Sequence, residues 1–408
     1  MFPEPDILYL EAQMFTVQIL NNISAVGLEH LPAERFSTGT DFTDPDAILL
    51  RSANLHDAAF GPSLKAIGRA GAGVNNIPVD AMTARGVPVF NTPGANANAV
   101  KELVIAGLIV MSRHIVPAVE FARRLGQASG SDAELKKAVE AGKKTFVGTE
   151  LPGRTLAVIG LGAIGGRVAN AAVDLGMRVV GYDPRVTPDA AWQQSPHVVR
   201  ARSLDEALRV ADFVSLHVPL GESTRHLIDA DRLAAMKPKV VILNFAREGV
   251  VDEAAIVASL DAGHAHAYIS DFPTMLTLKH PKCVTLPHLG ASTLEAEDNC
   301  ATMVADEVRA YLEHGDVHNA VNFPELVVPR HSVHRCACVC VASDQAATRV
   351  ADAIASADVG VEGWAGATRG VTYVVADTRD PVRAETIDRL RALGGVLSVR
   401  LIPQLGPA

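Results

Sequence analysis

The stretch TLAVIGLGAIGGRVANAAVDLGMRVVGYD, residues 155–183, decides the fold. Its glycine loop runs from Gly160 to Gly165, follows a predicted strand over 156–159 and opens a predicted helix over 167–175. Gly160 permits a tight turn, Gly162 lets the backbone approach a pyrophosphate, and Gly165 allows close helix packing. Because the N-terminus of a helix binds phosphate, the stretch predicts a dinucleotide site, with an ordinary structural turn as the alternative.

An acidic residue ends the second predicted strand, over 177–182. This residue, Asp183, comes 18 residues after Gly165. A carboxylate in that place accepts hydrogen bonds from an adenosine ribose and repels a 2′-phosphate, so the sequence favours NAD over NADP. Arg185, two residues later, softens that preference.

The surrounding sequence alternates short apolar segments with amphipathic ones. MRVVGYD, DFVSLHVP, VVILNFA, AYISDFP and CVTLPHLG follow the glycine loop, and FTVQIL, AILLRS, LKAIGRAG and VPVF precede it. This order predicts parallel strands joined by right-handed crossovers, hence an α/β protein with two doubly wound, Rossmann-like sheets. A helix after Asn98 is predicted to be buried all round, and Ser292 is predicted to cap a long helix over 292–314.

The last part of the chain carries a different pattern. After the proline-containing segment NFPELVVPR, the order strand, helix, strand, strand, helix, strand predicts a ferredoxin-like βαββαβ module. Cys336, Cys338 and Cys340 fall on one face of its first strand, where buried thiols are favoured over a zinc site. The predicted domains are a substrate domain over 1–97 and 289–325, a dinucleotide domain over 98–288 and the C-terminal module over 330–408.

Length and composition limit the possible functions of the chain. A chain of 408 residues is long enough for about three domains. A formal net charge of −9 provides no basic surface for nucleic acid or anionic lipid, and five cysteines do not make a disulfide framework. The first ten residues lack a basic region, and the longest apolar run, over 103–111, is too short to cross a bilayer. We expect a cytoplasmic enzyme without a metal.

Two polar residues stand directly after predicted strands beyond the glycine loop. Arg247 follows VVILNFA and His288 follows CVTLP. Ligands of doubly wound sheets bind beyond the carboxyl ends of the strands. Oxidation of a 2-hydroxy acid needs a base for the hydroxyl proton and a cation for the carboxylate, and His288 and Arg247 are suited to these roles.

Several further motifs in order resemble one family, the D-isomer-specific 2-hydroxyacid dehydrogenases. Besides the glycine loop, the resemblance rests on RAGAGVNNI, NTPGANANAVKEL, HVP, NFAREGVVDE and PHLGASTLEAE. It covers nearly the whole chain and is more specific than the glycine loop alone. It implies an NAD-dependent dehydrogenase in which Arg247 binds the substrate carboxylate, His288 removes the C2 hydroxyl proton and Asp271 completes the catalytic set.

The resemblance also implies which residues hold the ligands. The implied cofactor contacts are Gly160, Gly162, Ala163, Ile164, Gly165, Asp183, Val218, Pro219, Phe245, Ala246, Asp271 and Gly290. The implied substrate contacts are Arg51, Ser52, Gly71, Gly73 and Asn91, of which Arg51 and Ser52 match a pair that binds phosphate. An arginine can hold phosphate through two parallel hydrogen bonds, which supports that assignment.

The sequence departs from the family in three places. The family's glutamate that pairs with the catalytic histidine is absent from DFPTMLTLKH. In this family the acid that matches Asp271 holds the nicotinamide carboxamide. Asp271 then also pairs with His288, which we expect, or another acid approaches His288, or the histidine works alone. Glu248 stands where the family usually has glycine after the arginine. The C-terminal module resembles an ACT domain, but its loop VASDQAAT lacks the usual Asn-x-Pro-Gly turn, so an L-serine effector and a purely structural module both stay open.

The predicted reaction is the oxidation of 3-phospho-D-glycerate to 3-phosphooxypyruvate with NAD, the first step of phosphorylated L-serine biosynthesis. A glyoxylate or hydroxypyruvate reductase activity is the alternative within the family, and a non-catalytic NAD-sensing dimer is the alternative outside it. We expect a homodimer or homotetramer built on the dinucleotide domain. Lys143 and Lys144 are expected in a solvated loop, with contact to a substrate phosphate as the other reading.

Overall fold

A computed structural model describes residues 14–343, 345–355, 361–368 and 370–403 of the chain. These residues form two compact units. The first contains the residues up to Ala95 together with those from Leu294 onward, and the second is Asn96–Thr293. The C-terminal module thus belongs to the same compact unit as the first 95 residues, whereas the three-domain division stays a prediction.

The described strands give three sheets. They are β1 (Phe15–Leu20), β2 (Phe36–Gly39), β3 (Ala47–Leu50), β4 (Ala66–Arg69), β5 (Val89–Asn91), β6 (Thr155–Ile159), β7 (Arg178–Tyr182), β8 (Val198–Arg200), β9 (Phe213–Leu216), β10 (Val241–Asn244), β11 (Ala267–Ser270), β12 (Cys283–Thr285), β13 (His334–Val341), β14 (Val361–Ala367), β15 (Val371–Thr378) and β16 (Val396–Ile402).

The described helices connect these strands, with one additional 3₁₀ helix at Lys143–Phe146. They are α1 (Ala25–Leu28), α2 (Val79–Ala84), α3 (Ala97–Ser112), α4 (Ile115–Ala128), α5 (Asp132–Gly142), α6 (Ala163–Asp174), α7 (Pro188–Trp192), α8 (Leu204–Val210), α9 (Ala230–Ala235), α10 (Glu253–Asp261), α11 (Leu294–His314), α12 (Ala346–Ala355) and α13 (Ala384–Ala392).

The first unit contains a parallel five-stranded sheet in the order β2-β1-β3-β4-β5. Strand β3 is buried along its whole length, which matches its continuous apolar sequence AILL. Helix α11 packs on one face of the sheet through apolar residues such as Val304 and Val308. This helix begins at Leu294, so Ser292 does not directly precede it as predicted.

The second unit contains a parallel seven-stranded sheet in the order β12-β11-β10-β9-β6-β7-β8. The order reverses between β6 and β9, the place where a doubly wound sheet opens a crevice. The prediction of two doubly wound parallel sheets is therefore confirmed. Helix α6 begins at Ala163, four residues earlier than expected, because the glycine loop leads directly into its first turn.

The C-terminal residues form a four-stranded antiparallel sheet in the order β14-β15-β13-β16. With α12 and α13 it has the predicted βαββαβ order. Cys336, Cys338 and Cys340 are buried as free thiols against these helices, which confirms the prediction of a buried strand face. The opposite face, including Val339 and Tyr373, joins the hydrophobic core of the five-stranded sheet. This shared core explains why both sheets form one unit.

Polar contacts also attach the C-terminal sheet to the end of α11. The Arg335 guanidinium is buried, lies 2.6 Å from an Asp377 carboxylate oxygen and donates to the backbone oxygen of His314 at 3.0 Å. The Tyr373 hydroxyl donates to the backbone oxygen of Gly315 at 2.7 Å. Burial alone raises the pKa of Asp377, but hydrogen bonds from Arg335 and from the backbone of His331 and Ser332, together with the Arg335 charge, outweigh it, so the pKa is lowered. The ion pair therefore stays charged and covers the carbonyl end of α11.

Helix α3 is buried on one face instead of all round. Val104 and Leu108 contact the core of the second unit, whereas Ile109 is 41% exposed. Helix α4 has no buried residue. Within the described residues, no single helix is long and apolar enough to span a membrane, although α3 and α4, bent by 60°, pass that test as a pair.

Candidate active site

The glycine loop lies between β6 and α6, directly against the end of β9. Gly160 has a φ of +91°, and a Cβ atom there would lie 2.4 Å from the backbone oxygen of His217. A Cβ atom on Gly165 would lie 1.9 Å from the backbone oxygen of Gly160. Both positions therefore require glycine for a tight turn and for close helix packing, as the sequence predicts.

Gly162 differs from its two neighbours in the motif. A Cβ atom at this position would meet nothing within 4 Å. Ala163 and Ile164 follow in the first turn of α6, whose N-terminal N–H groups have no partner within the helix. The open space above Gly162 and the free end of a 12-residue helix fit a bound pyrophosphate.

Asp183 is fixed beside this loop by two backbone hydrogen bonds. One carboxylate oxygen accepts from the N–H of Leu161 at 2.9 Å, and the other accepts from the N–H of Arg185 at 2.8 Å. Each carboxylate oxygen retains a lone pair for another donor. The acid predicted to bind the ribose is therefore held against the loop predicted to bind the pyrophosphate.

A half-buried histidine of the HVP motif, to which the sequence analysis gave no role, packs against the glycine loop. His217 stands next to Val218 and Pro219, after β9, and one of its ring nitrogens, Nε2, lies 2.8 Å from the Ser215 hydroxyl. Burial lowers the pKa of His217 to about 4, so its ring is neutral. Its Nδ1 atom is buried without a hydrogen-bond partner among the described residues.

The three predicted catalytic residues follow three adjacent parallel strands. Arg247 comes after β10, Asp271 directly follows β11, and His288 comes after β12. The carboxyl ends of adjacent parallel strands meet at one edge, so the backbone delivers these residues to the same edge of the sheet. The Arg247 side chain is exposed, with Nη1 donating to the Ala246 backbone oxygen at 2.7 Å.

Asn244, the last residue of β10, shapes the turn that carries Arg247. Its amide nitrogen donates to the backbone oxygen of Arg247 at 3.0 Å, and its amide oxygen accepts from the N–H of Ala246 at 3.2 Å. The side chain is 2% exposed, so these bonds are shielded from water. Asn244 therefore fixes the predicted cofactor contacts Phe245 and Ala246 as well as the arginine.

Asp271 holds the turn that carries His288. Its two carboxylate oxygens accept hydrogen bonds from the N–H groups of Leu289 and Gly290, both at 2.7 Å. His288 itself has a φ of +57°, and its N–H donates to the Asp271 backbone oxygen at 3.1 Å. Burial raises the pKa of Asp271, while the two backbone bonds and the nearby imidazole act in the opposite direction.

A pairing of the His288 ring with Asp271 stays a prediction. Both oxygens of Asp271 are already engaged by backbone N–H groups, and no acidic side chain within the described residues of the second unit hydrogen-bonds to the imidazole. The ring instead packs against Phe272, with centroids 5.1 Å apart. The observed hydrogen bonds of the Asp271 carboxylate therefore fix the turn that carries the histidine.

In the first unit, the predicted substrate residues collect at the carboxyl ends of β3, β4 and β5. Arg51 and Ser52 follow β3, Gly71 and Gly73 follow β4, and Asn91 ends β5. The Asn91 amide donates to the backbone oxygen of Ala72 at 2.6 Å and so connects two of these loops. The structure therefore groups all five residues at one edge of their sheet.

Three polar residues at this edge were missed by the sequence analysis. The Asn21 side chain, after β1, accepts from the N–H groups of Ser52 at 3.2 Å and of Ala53 at 2.5 Å. The Asn76 amide donates to the Ala53 backbone oxygen at 2.7 Å. Glu297, on α11, lies 2.6 Å from the Arg51 guanidinium. Asn21 could have been predicted from the sequence, because it is a polar residue close after a predicted strand.

Two lysines whose role the sequence left open are exposed in the second unit. Lys143 and Lys144 belong to the 3₁₀ helix after α5. The Lys143 ammonium pairs with the Glu140 carboxylate at 2.5 Å, and both side chains are about 60% exposed. This pairing favours the solvated reading of the segment within its unit.

Comparisons with known proteins agree with this geometry. Residues 117–290 match the family described as "D-isomer specific 2-hydroxyacid dehydrogenase, NAD binding domain". Curated relatives named D-3-phosphoglycerate dehydrogenase include those of Mycobacterium bovis, 42% identical over 288 residues, and Bacillus subtilis, 35% identical over 331 residues. These alignments cover 68% and 77% of this chain, but only 51% and 60% of the relatives. The chain thus spans about half to three fifths of their length.

Solved structures of other proteins share the fold. A glyoxylate reductase from Paecilomyes thermophila aligns with a TM-score of 0.61 and 26% identity, over 76% of this chain and 98% of that one. The D-mandelate dehydrogenase of Rhodotorula graminis aligns with a TM-score of 0.63 and 22% identity, over 77% of this chain and 99% of that one, a likeness of fold alone. The chain therefore carries the NAD-binding domain of the D-isomer specific 2-hydroxyacid dehydrogenases and is homologous to curated D-3-phosphoglycerate dehydrogenases.

Proposed function

We propose that the protein oxidises 3-phospho-D-glycerate to 3-phosphooxypyruvate with NAD. The observation that carries the proposal is the delivery of Arg247, Asp271 and His288 to the carboxyl ends of three adjacent strands in an NAD-binding domain. The curated relatives named for this activity support the choice of substrate. A cytoplasmic setting and a role at the start of serine biosynthesis belong to the same proposal.

Each side chain has a defined task in this chemistry. Bound NAD supplies the hydride acceptor. His288 takes the proton of the C2 hydroxyl, and the Arg247 guanidinium pairs with the substrate carboxylate and polarises the forming carbonyl. Asp271 is a positioning residue, because its carboxylate fixes the N–H groups of Leu289 and Gly290 directly after the histidine. Arg51 and Ser52 bind the phosphate in this proposal.

The test is a survey of NADH formation with several D-2-hydroxy acids. We expect 3-phospho-D-glycerate to have the highest kcat/KM, with turnover lost in both the Arg247→Ala and His288→Ala variants. A preference for glycolate or D-glycerate would instead favour the glyoxylate or hydroxypyruvate reductase activity, which the structural likeness to a glyoxylate reductase keeps as second candidate. NAD binding without turnover on any acid would favour the non-catalytic dimer.

The proposed role of Asp271 has its own test. Replacing it by asparagine puts an amide N–H where one of two backbone N–H groups now donates, so the turn before Gly290 loses a hydrogen bond. We expect kcat to fall about tenfold or more and the acidic limb of the kcat/KM pH profile to move. Unchanged turnover together with an unchanged profile would remove the role.

A second copy of the chain is the proposed partner of the exposed apolar face of α3 and α4. Ile109, Ile115 and Val119 line this face, and Val119 is 43% exposed. Helix α4 has no buried residue. We expect a Val119→Asp variant to shift the protein towards monomer in analytical ultracentrifugation, whereas Val210→Asp, an equally exposed valine on α8, should not. An unshifted Val119→Asp variant would contradict a homodimer on this face.

The C-terminal module is the proposed effector domain. A cavity of about 210 Å³ lies between the end of β13, the start of α12 and the loop after α13, lined by Ser343, Arg349 and Gly394 among others. The predicted ligand loop VASDQAAT falls partly outside the described residues, at Asp344. L-serine is the effector to titrate. If it produced neither heat of binding nor inhibition, the module would have a structural role only.

A further inference from the structure

A second polar cavity lies at the opposite edge of the five-stranded sheet from the predicted substrate residues. It has a volume of about 270 Å³ and is lined by Lys65, Arg85 and Arg400 together with Ser63 and Ser398. Lys65 precedes β4 and Arg85 precedes β5, so these residues stand at the amino ends of the strands. Arg51, Gly71 and Asn91 stand at the carboxyl ends. The cavity is therefore separate from the candidate active site.

The charge of the cavity is one-sided. Three cationic side chains line it, and no acidic side chain does so among the described residues. The nearest counter-ion is Asp46, whose carboxylate pairs with the Lys65 ammonium. Like charges gathered around an enclosed space repel one another and gain from an anion placed between them.

Each cation has hydrogen-bond donors left over. Arg85 uses two of its five donors, to the backbone oxygens of Phe60 at 3.1 Å and Gly61 at 2.6 Å. The Lys65 ammonium uses two of three, to Asp46 and to the Ser63 backbone oxygen at 3.2 Å. These hydrogen bonds hold both side chains in place, and their remaining donors meet no acceptor among the described residues.

Arg400 gives the clearest sign of a missing partner. Its Nη2 donates to the backbone oxygens of Tyr311 and Leu312, both at 3.3 Å, and its guanidinium lies 4.4 Å from the centre of the Tyr311 ring. Its Nη1, in contrast, is shielded from solvent and has no hydrogen-bond partner among the described residues. No acidic side chain among the described residues pairs with Arg400, so its positive charge is left uncompensated beside the cavity and favours an anion there.

We propose that this cavity binds a small organic anion that carries a phosphate group. A tetrahedral dianion matches three cations around one space, and the hydroxyls of Ser63 and Ser398 add neutral donors. A neighbouring cavity of about 290 Å³ shares Lys65, Val399 and Arg400 and continues along the apolar residues Phe15 and Leu401. The organic part of the ligand extends into this second space.

The test titrates inorganic phosphate, in the presence of saturating NADH, into the full chain carrying Arg51→Gln, so that neither the proposed pyrophosphate site nor the proposed substrate phosphate site is free. Calorimetry should still show one saturable site, and phosphate should raise the melting temperature. Adding Arg85→Gln should weaken this binding about tenfold, and adding Ser398→Ala about threefold. Arg379→Gln, an exposed arginine of the same unit outside the cavity, is the matched control and should leave binding unchanged.

Two results would overturn the proposal. One is the loss of all saturable phosphate binding in Arg51→Gln itself. The other is a binding constant in both the Arg85→Gln and Ser398→Ala backgrounds equal to that of the Arg379→Gln control. Circular dichroism verifies that each variant is folded. Arg85→Gln changes a large side chain and Ser398→Ala a small one, so one variant remains informative if the other unfolds. Absence of NADH formation by the wild type would reject the proposed reaction and leave this titration valid.

Discussion

The two sheet edges predicted to hold ligands differ in whether their side chains are already placed to receive the ligand. In the second unit, Asp183 and Asp271 each use both carboxylate oxygens to fix backbone N–H groups, and the space above Gly162 is open. In the first unit, the predicted phosphate-binding Arg51 is already paired with the Glu297 carboxylate at 2.6 Å. The NAD edge is preorganised, whereas the phosphate edge must exchange one anion for another.

This difference has a physical basis. Acids that hold backbone N–H groups build the shape of a loop and do not compete with the ligand. An acid paired with a ligand-binding arginine does compete, because the arginine must be released before it can hold phosphate. The Arg51 and Glu297 side chains are 33% and 40% exposed, so their pairing is weak and can be exchanged.

The largest expected effect tests the preorganised edge. His288→Ala should lower kcat by about 10²–10⁴-fold, because the C2 hydroxyl loses its proton acceptor. NADH affinity, measured by fluorescence titration, should stay within about twofold. The control is His197→Ala, an exposed histidine of the same unit, which should leave kcat unchanged. A kcat within threefold of the wild type would exclude His288 as the base.

The glycine loop offers a matched pair of substitutions. Gly162→Ala should leave stability unchanged, since its Cβ atom meets no protein atom, but should weaken NADH binding roughly tenfold, the equivalent of one charge-assisted hydrogen bond. Gly165→Ala should destabilise the fold, since its Cβ atom would stand 1.9 Å from a backbone oxygen. Melting temperature and NADH titration together separate the two outcomes. Equal melting temperatures for the two variants would contradict the assigned roles.

Glu307, a buried acid of the first unit, sharpens the contrast with Asp271. One of its oxygens accepts from the Asn319 amide at 2.7 Å, while the other is buried without a hydrogen-bond partner among the described residues. Burial, with Glu325 and Asp306 nearby, raises the pKa of Glu307 from 4.5 to about 8. The folded state then binds more protons than the unfolded state between these values, so stability falls as pH rises through this window.

The substitution Glu307→Gln should remove that pH dependence. We expect the wild-type melting temperature to fall by several degrees between pH 5 and pH 8, relative to the Glu307→Gln variant. A loss of 1 kcal/mol in the free energy of unfolding lowers the melting temperature by about 2–4 °C. Glu295→Gln, at an exposed position of the same helix, serves as the control. Differential scanning calorimetry at both pH values is the measurement. Parallel pH curves for wild type and Glu307→Gln would contradict the assignment.

The smallest expected effect concerns the exchange of anions at Arg51. Glu297→Gln removes the competing charge and should lower the KM for 3-phospho-D-glycerate about two- to fivefold, as expected for a partly exposed ion pair. The KM for NAD and the kcat should not move. A higher KM for the phosphorylated substrate would mean that Glu297 orients Arg51 instead of competing for it.

Features carried by local sequence were predicted well. The glycine loop, Asp183 at the end of β7 and the buried cysteine face of β13 follow from spacing within one or two elements. The start of α6 was placed too late, because the glycines that open the helix were counted as loop. The exposed side of α3 was missed, because apolar sequence alone does not say which face meets the core.

Features that depend on long-range contacts were not predicted. Glu297 meets Arg51 across 246 residues of sequence, which only the packing of α11 on the first sheet brings about. The buried pair of Arg335 and Asp377 is equally invisible to periodicity, because it joins two antiparallel strands to the end of α11. The hydrogen bonds of Asp271 to the N–H groups of Leu289 and Gly290 were not predicted, because they depend on the geometry of the turn.

The proposed substrate depends most directly on Arg51, and one ratio tests it. We would measure kcat/KM for 3-phospho-D-glycerate and for unphosphorylated D-glycerate, in the wild type and in Arg51→Gln. The account predicts that the wild type prefers the phosphorylated acid and that Arg51→Gln lowers this preference about 10- to 100-fold, mostly through KM. The same preference ratio in wild type and variant would contradict a phosphate site at Arg51.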